Sequence, residues 1–200
     1  MQNIAISKLF KSRVVLALFI LLSAFFYFAF NFYPQINGQS GVALAADSDV
    51  LNKSSMPERL IIPSINVNAP MQYVGLAPNN TIGVPEGPYD VAWFNLSPRP
   101  GEIGSAIITG HYGPWINGAE SVFNNLYKLK DGDKIYVEDL SGKLISFMVE
   151  DSHIYNLNAS VPDLFNKNDG AYLDLITCNG TWIQDKKTYD NRLVIFAKEI

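Results

Sequence analysis

An all-β domain of the barrel or sandwich kind is the fold this sequence predicts. Two observations carry the prediction. Short apolar or alternating runs recur eight times between residues 59 and 198. Clusters of Pro, Gly, Asn, Asp and Ser separate them, and only two short stretches have helical patterning. Many short strands with few helices favour a barrel or sandwich over a parallel α/β sheet.

The elements follow in chain order. Residues 1–13 hold Lys8, Lys11 and Arg13 with no acid, and read as a short cytoplasmic tail. Residues 14–30 form an apolar run broken only by Ser23. As a helix such a run spans about 25 Å, near the lower limit for crossing a bilayer. Phe32 and Tyr33 extend it into the interface, so residues 14–33 are expected to be a transmembrane anchor. The basic residues precede it, which places the N-terminus inside and the remainder outside the cell membrane. Ala43-Leu44-Ala45 resembles a signal-peptidase site. It lies far beyond the apolar run, which is itself long for a signal peptide, so an uncleaved anchor is the expectation. Residues 34–56 lack periodicity and read as a flexible stalk.

Residues 57–200 are the expected folded domain, opened by Pro57. The strands are expected at 59–62, 65–71, 91–94, 105–111, 134–139, 144–150, 171–178 and 192–198. Residues 134–139 and 144–150 flank Ser141-Gly142 and read as a hairpin. Short helices are expected at 119–126 and at 161–165, the second capped by Ser160.

Composition excludes some functions. From residue 47 onward the chain has 12 basic and 19 acidic side chains, a net charge of −7. Without a basic footprint, nucleic-acid binding is not expected. One cysteine and two histidines do not make a structural zinc site. An exported domain with a single cysteine has no internal disulfide, so its stability must come from its core.

That cysteine, Cys178, ends the apolar strand 171–178, and Asn179-Gly180 then signals a turn. A lone thiol held by a strand end is a candidate nucleophile, but it needs a base and an anion-stabilising group nearby. His111 repeats the geometry, ending the run 105–111 before Tyr112-Gly113-Pro114. His153 sits in a polar stretch after a strand and reads as solvated. Arg192 opens the last strand, and an antiparallel pairing would bring it to Cys178. Its guanidinium is permanently charged and forks onto oxygen pairs.

Thr109-Gly110-His111, Leu175-Ile176-Thr177-Cys178 and Asn191-Arg192-Leu193-Val194-Ile195, in that order, resemble the sortase family. The run 59–67, and the stretch from Asn124-Leu126 to Gly132-Asp133, are similar to segments of the same family. The resemblance covers about residues 57–200. It implies a closed eight-stranded β-barrel with two or three short helices after an N-terminal transmembrane helix. It implies a cysteine transpeptidase that cleaves a Leu-Pro-x-Thr-Gly sorting signal between Thr and Gly. Cys178 is then the acyl-carrying nucleophile, His111 the general acid and base, and Arg192 the oxyanion or substrate stabiliser. Thr177, Trp182 and Thr109 are expected to contact the peptide. Tyr112, Trp115 and Tyr189 flank the same place. The implied partners are a surface protein's sorting signal and a cell-wall or pilin amine. Ile176 and Asn179-Gly180-Thr181-Trp182 depart from the common pattern and resemble class F or another non-housekeeping class. No cofactor is expected. Some sortases bind calcium, but Glu150, Asp151, Asp163 and Asp169 read as ordinary solvated acids. A peptidoglycan L,D-transpeptidase is disfavoured, because no His-Gly precedes the cysteine. A non-catalytic tethered barrel would tolerate loss of the thiol.

Overall fold

The computed structural model describes residues 55–115, 118–159, 161 and 164–200. The expected tail, the anchor, nearly all of the stalk and part of the helix at 161–165 lie outside these residues. Among the described residues no helix is long and apolar enough to cross a membrane.

Eight strands close into a barrel in the order β1-β2-β3-β4-β7-β8-β6-β5. They are β1 (Pro57–Ile62), β2 (Val67–Val74), β3 (Val91–Phe94), β4 (Gly104–Gly110), β5 (Lys134–Asp139), β6 (Leu144–Asn156), β7 (Ala171–Ile183) and β8 (Thr188–Glu199). Each of the eight expected runs falls on a strand, although Ile65 belongs to a 3-10 turn (Pro63–Ile65) and β4 ends at Gly110, one residue before His111. Most pairs are antiparallel, but β2 with β3 and β4 with β7 are parallel. Closure leaves no open sheet edge to pair with another chain.

The strands alternate in the way a filled barrel requires. Leu60 and Ile62, Ala106 and Ile108, Leu173 and Leu175, and Leu193 and Ile195 point inward into one core with Phe123 and Phe147. The outward residues of one sector are buried too. Phe94, Ile107, Val194 and Phe196 form a second cluster with Leu164, against which Ile82, Tyr155 and Ile176 pack. Every residue of β4 is therefore buried, which explains why its sequence carries no charge and holds the apolar run Ala106-Ile107-Ile108. This two-sided sector, β4-β7-β8, carries the candidate site.

Three expectations change. Asn179-Gly180 does not turn the chain: β7 runs on to Ile183, and the pairing with β8 slips between Asn179 and Trp182. Gly180, at φ +89°, absorbs the slip as a bulge. A Cβ there would collide with Asp190 and come within 2.7 Å of Asn191 Nδ2, while Asp190 Oδ1 accepts the Thr181 N–H at 2.8 Å. Cys178 is thus inside a long hairpin and not at its tip. Strand β6 likewise continues past 150, bulged between Val149 and Asp151, because the extended β8 offers it partners as far as Asn191. The helix expected at 119–126 is absent. Pro114 bridges Glu120, and only Leu126–Lys128 forms a 3-10 turn. Ser121 Oγ donates to Gly113 O at 2.7 Å and Asn124 Oδ1 accepts Gly113 N–H at 3.1 Å, so polar side chains there bond the facing loop instead.

Candidate active site

The register of the sheet builds the site. Cys178 on β7 lies directly opposite Arg192 on β8. Strand β4 runs parallel to β7 with Thr109 opposite Ile176. Thr177 Oγ1 donates to Gly110 O at 2.8 Å and fastens the two strand ends together. His111 is the next residue out of β4, so the topology delivers it beside Cys178. Gly110 is required here: an added Cβ would drive into the Phe123 ring, with Cε2 at 2.7 Å. Phe123 N–H in turn donates to His111 O at 3.0 Å, which fixes the backbone at the histidine.

His111, Cys178 and Arg192 line one cleft of about 1110 Å³. Its floor includes Ile82, Leu164, Ile176 and Val194 from the outer apolar cluster. One wall is aromatic. Tyr112 and Trp182 each meet the Tyr189 ring edge-on, at 5.3 and 5.2 Å between centroids. Trp115 lies against the His111 ring at 5.0 Å. An apolar cleft with few convergent polar groups is the usual form of a binding site.

Cys178 is the free thiol, half-buried. Burial pushes its pKa up, while the Arg192 guanidinium and the Tyr189 backbone N–H act to lower it without overcoming burial. The resting thiol is therefore neutral at neutral pH. Arg192 is held by the hairpin itself: Nη1 donates to Tyr189 O at 3.1 Å and Asn191 O at 2.8 Å, and Nη2 to Thr188 Oγ1 at 3.0 Å. His111 Nε2 lies 2.8 Å from Pro85 O.

The other expected residues are placed as follows. Thr177 is buried and spends its hydroxyl on Gly110. Thr109 is buried and donates to Gly83 O at 3.0 Å, tying β4 to the loop between β2 and β3. Trp182 is half-exposed at the rim. His153 is exposed, pairs with Asp151 Oδ2 at 2.8 Å, and belongs to a separate hollow with Glu150 and Lys167. Asp151 also accepts Ser152 N–H, and Asp169 accepts the Tyr172 hydroxyl. Asp163 is outside the described residues. Among the described residues no group of three or more His, Cys, Asp and Glu converges as a metal site.

One residue escaped the sequence reading. Asp174, on β7, is fully buried, and neither carboxylate oxygen has a hydrogen-bond partner. Lys167 Nζ stands 4.0 Å away, and the Ser105 hydroxyl lies close by without completing a hydrogen bond. Burial outweighs both and lifts the carboxyl pKa to about 7. Its only signal in the sequence is an acid within an apolar strand.

Comparison with known proteins bears on the family and the fold. A family model described as a sortase domain matches residues 60–200. Among solved structures, sortase C1 of Streptococcus agalactiae in complex with MTSET superposes with a TM-score of 0.55 at 23% identity, covering 72% of this chain and 66% of that one. Sortase C-1 from Actinomyces oris gives 0.55 at 25%, covering 72% and 71%. Sortase A from Corynebacterium diphtheriae gives 0.56 at 21%, covering 72% and 60%. The matched part of this chain thus spans roughly two thirds of the length of such structures. No curated protein matches the chain.

Proposed function

The chain belongs to the sortase family, and from that premise we propose that it is an extracytoplasmic cysteine transpeptidase, tethered by residues 14–33 to the cell membrane. Its substrate is a surface protein bearing a Leu-Pro-x-Thr-Gly sorting signal. The acceptor is a cell-wall or pilin amine. The observation that carries the reading is the cross-strand pairing of Cys178 with Arg192, beside the His111 end of β4, within one cleft.

Each turnover begins by charging a neutral thiol. The Cys178 proton passes to His111 as Sγ attacks the Thr carbonyl, forming the S–C bond. Arg192 faces the growing oxyanion with fixed charge, which a preorganised cation stabilises at little reorganisation cost. The C–N bond to Gly then breaks, and the imidazolium returns its proton to the leaving amine. The acceptor amine next attacks the thioester and gives a proton to His111, which passes it to Sγ as the S–C bond breaks, restoring the neutral thiol. Burial disfavours a free thiolate at rest, so deprotonation accompanies the attack.

The apolar floor supports binding of the Leu-Pro part, and the Tyr112-Tyr189-Trp182 wall supports packing against the peptide backbone. The test is ligation by the full chain, purified in detergent, of a panel of Leu-Pro-x-Thr-Gly peptides to an amine. A new amide product that disappears with Cys178→Ala is expected. No cleavage or ligation across the panel would defeat the proposal.

A further inference from the structure

We propose that Gln72, on β2 and outside the reacting groups, is a positioning residue that sets which nitrogen of His111 carries the proton. A carbonyl oxygen only accepts hydrogen bonds. The 2.8 Å contact from His111 Nε2 to Pro85 O therefore places the imidazole N–H on Nε2 in the neutral ring. Nδ1 is then the nitrogen that takes and returns protons during turnover. The two ring nitrogens are distinct, and the partner of one fixes the role of the other.

Pro85 lies in the connection between β2 and β3, a segment with no strand or helix of its own at this point. Its carbonyl stays on the ring only if that segment is held, and Gln72 holds it. Its Oε1 accepts the Glu86 N–H at 2.9 Å and its Nε2 donates to Glu86 O at 3.0 Å, a two-point clasp on the residue next to Pro85. The same amide nitrogen donates to Asp90 Oδ2 at 2.8 Å, which fixes the amide's orientation. On the other side of Pro85, Thr109 Oγ1 donates to Gly83 O at 3.0 Å, and Gly83 N–H donates to Gly75 O at 3.0 Å. The carbonyl is thus pinned from both flanks, by β2 through Gln72 and by β4 through Thr109. Trp115 limits the tilt of the ring from a third direction. Without the clasp, the nearest remaining hydrogen bonds that tie this segment to the barrel are those at Gly83 and the one from Val122 N–H to Pro88 O at 2.7 Å, neither of them on Pro85 or Glu86, and the ring is free to take the other tautomer.

What the proton is used for rests on the transpeptidase reading, but where it sits does not. The experiment is nitrogen NMR of the full chain labelled with ¹⁵N-histidine, with His153→Gln to assign the remaining histidine. It is run alongside kcat and KM for peptide cleavage. In the wild type, neutral His111 is expected to show a protonated Nε2 and an unprotonated Nδ1. In Gln72→Met, which keeps the length and removes the hydrogen bonds, both tautomers are expected, with kcat lowered by about tenfold to a hundredfold and KM little changed. If methionine prevents folding, Gln72→Glu, which keeps the acceptor but loses the donor, is expected to give the same signature. A wild-type proton on Nδ1 would overturn the proposal. So would a folded Gln72 variant with the Nε2–H tautomer and kcat of the wild type. An inactive wild type with the Nε2–H tautomer would refute the transpeptidase reading and leave the tautomer assignment standing.

Discussion

Replacing Asp174 with asparagine isolates one buried charge in the middle of the catalytic sheet. In the fold its pKa is about 7, raised by burial from the ordinary value of 3.8. The folded state therefore binds this proton more tightly than the unfolded chain. The contribution is fully present below the unfolded pKa and is lost as pH rises toward 7; above that the penalty is constant. About three units, at roughly 1.4 kcal/mol each, give about 4 kcal/mol of destabilisation at alkaline pH. Asparagine is nearly isosteric, carries no charge, and its amide can turn its oxygen to Lys167. Asp174→Asn is expected to be more stable than the wild type by a few kcal/mol above neutrality, which for a domain of this size is about 10 °C in Tm. The gap should close as pH falls toward 4. Thermal unfolding by circular dichroism from acid to mildly alkaline pH measures it. A variant less stable than the wild type at every pH, or a gap that does not depend on pH, would refute this reasoning.

Other consequences follow from the same geometry. Because burial holds the Cys178 thiol up, alkylation by iodoacetamide should keep accelerating past about pH 8, and a plateau below that would contradict it. Arg192→Ala removes a charge that lowers the thiol pKa, so alkylation at fixed pH should slow, read by mass spectrometry, and an unchanged or faster rate would contradict it. Gly110→Ala must displace Phe123 from the core, and should cost about 1–3 kcal/mol in chemical denaturation while lowering activity through the histidine it precedes. An unchanged unfolding midpoint would count against the packing described.

The strands were legible because their burial is written in residue type. β4 and β7 are buried on both faces where they pair, and their sequences are mostly apolar there, interrupted only by Ser105, Thr109, Asp174 and Thr177. The pairing of Cys178 with Arg192 was legible because a final strand that returns antiparallel leaves few registers. The Asn179-Gly180 reading failed for a nonlocal reason. The same residues suit a turn and a bulge, and Asp190, on the opposite strand, selects the bulge by capturing Thr181 N–H. The helix at 119–126 failed similarly, since Gly113 on a facing loop competes for Ser121 and Asn124. The Pro85 carbonyl was invisible because a backbone acceptor has no residue-type signature. Asp174 was visible as an oddity, but its significance depends on which side chains stand over it.

The central claim is that Cys178 carries the substrate acyl group. Intact-mass spectrometry of the full chain, quenched during turnover of a Leu-Pro-x-Thr-Gly peptide without an amine acceptor, tests it most directly. An adduct with the mass of the peptide up to Thr, mapped to Cys178 and released by hydroxylamine, is the predicted result. Cleavage of the peptide without any adduct, or undiminished cleavage by Cys178→Ala, would contradict the account.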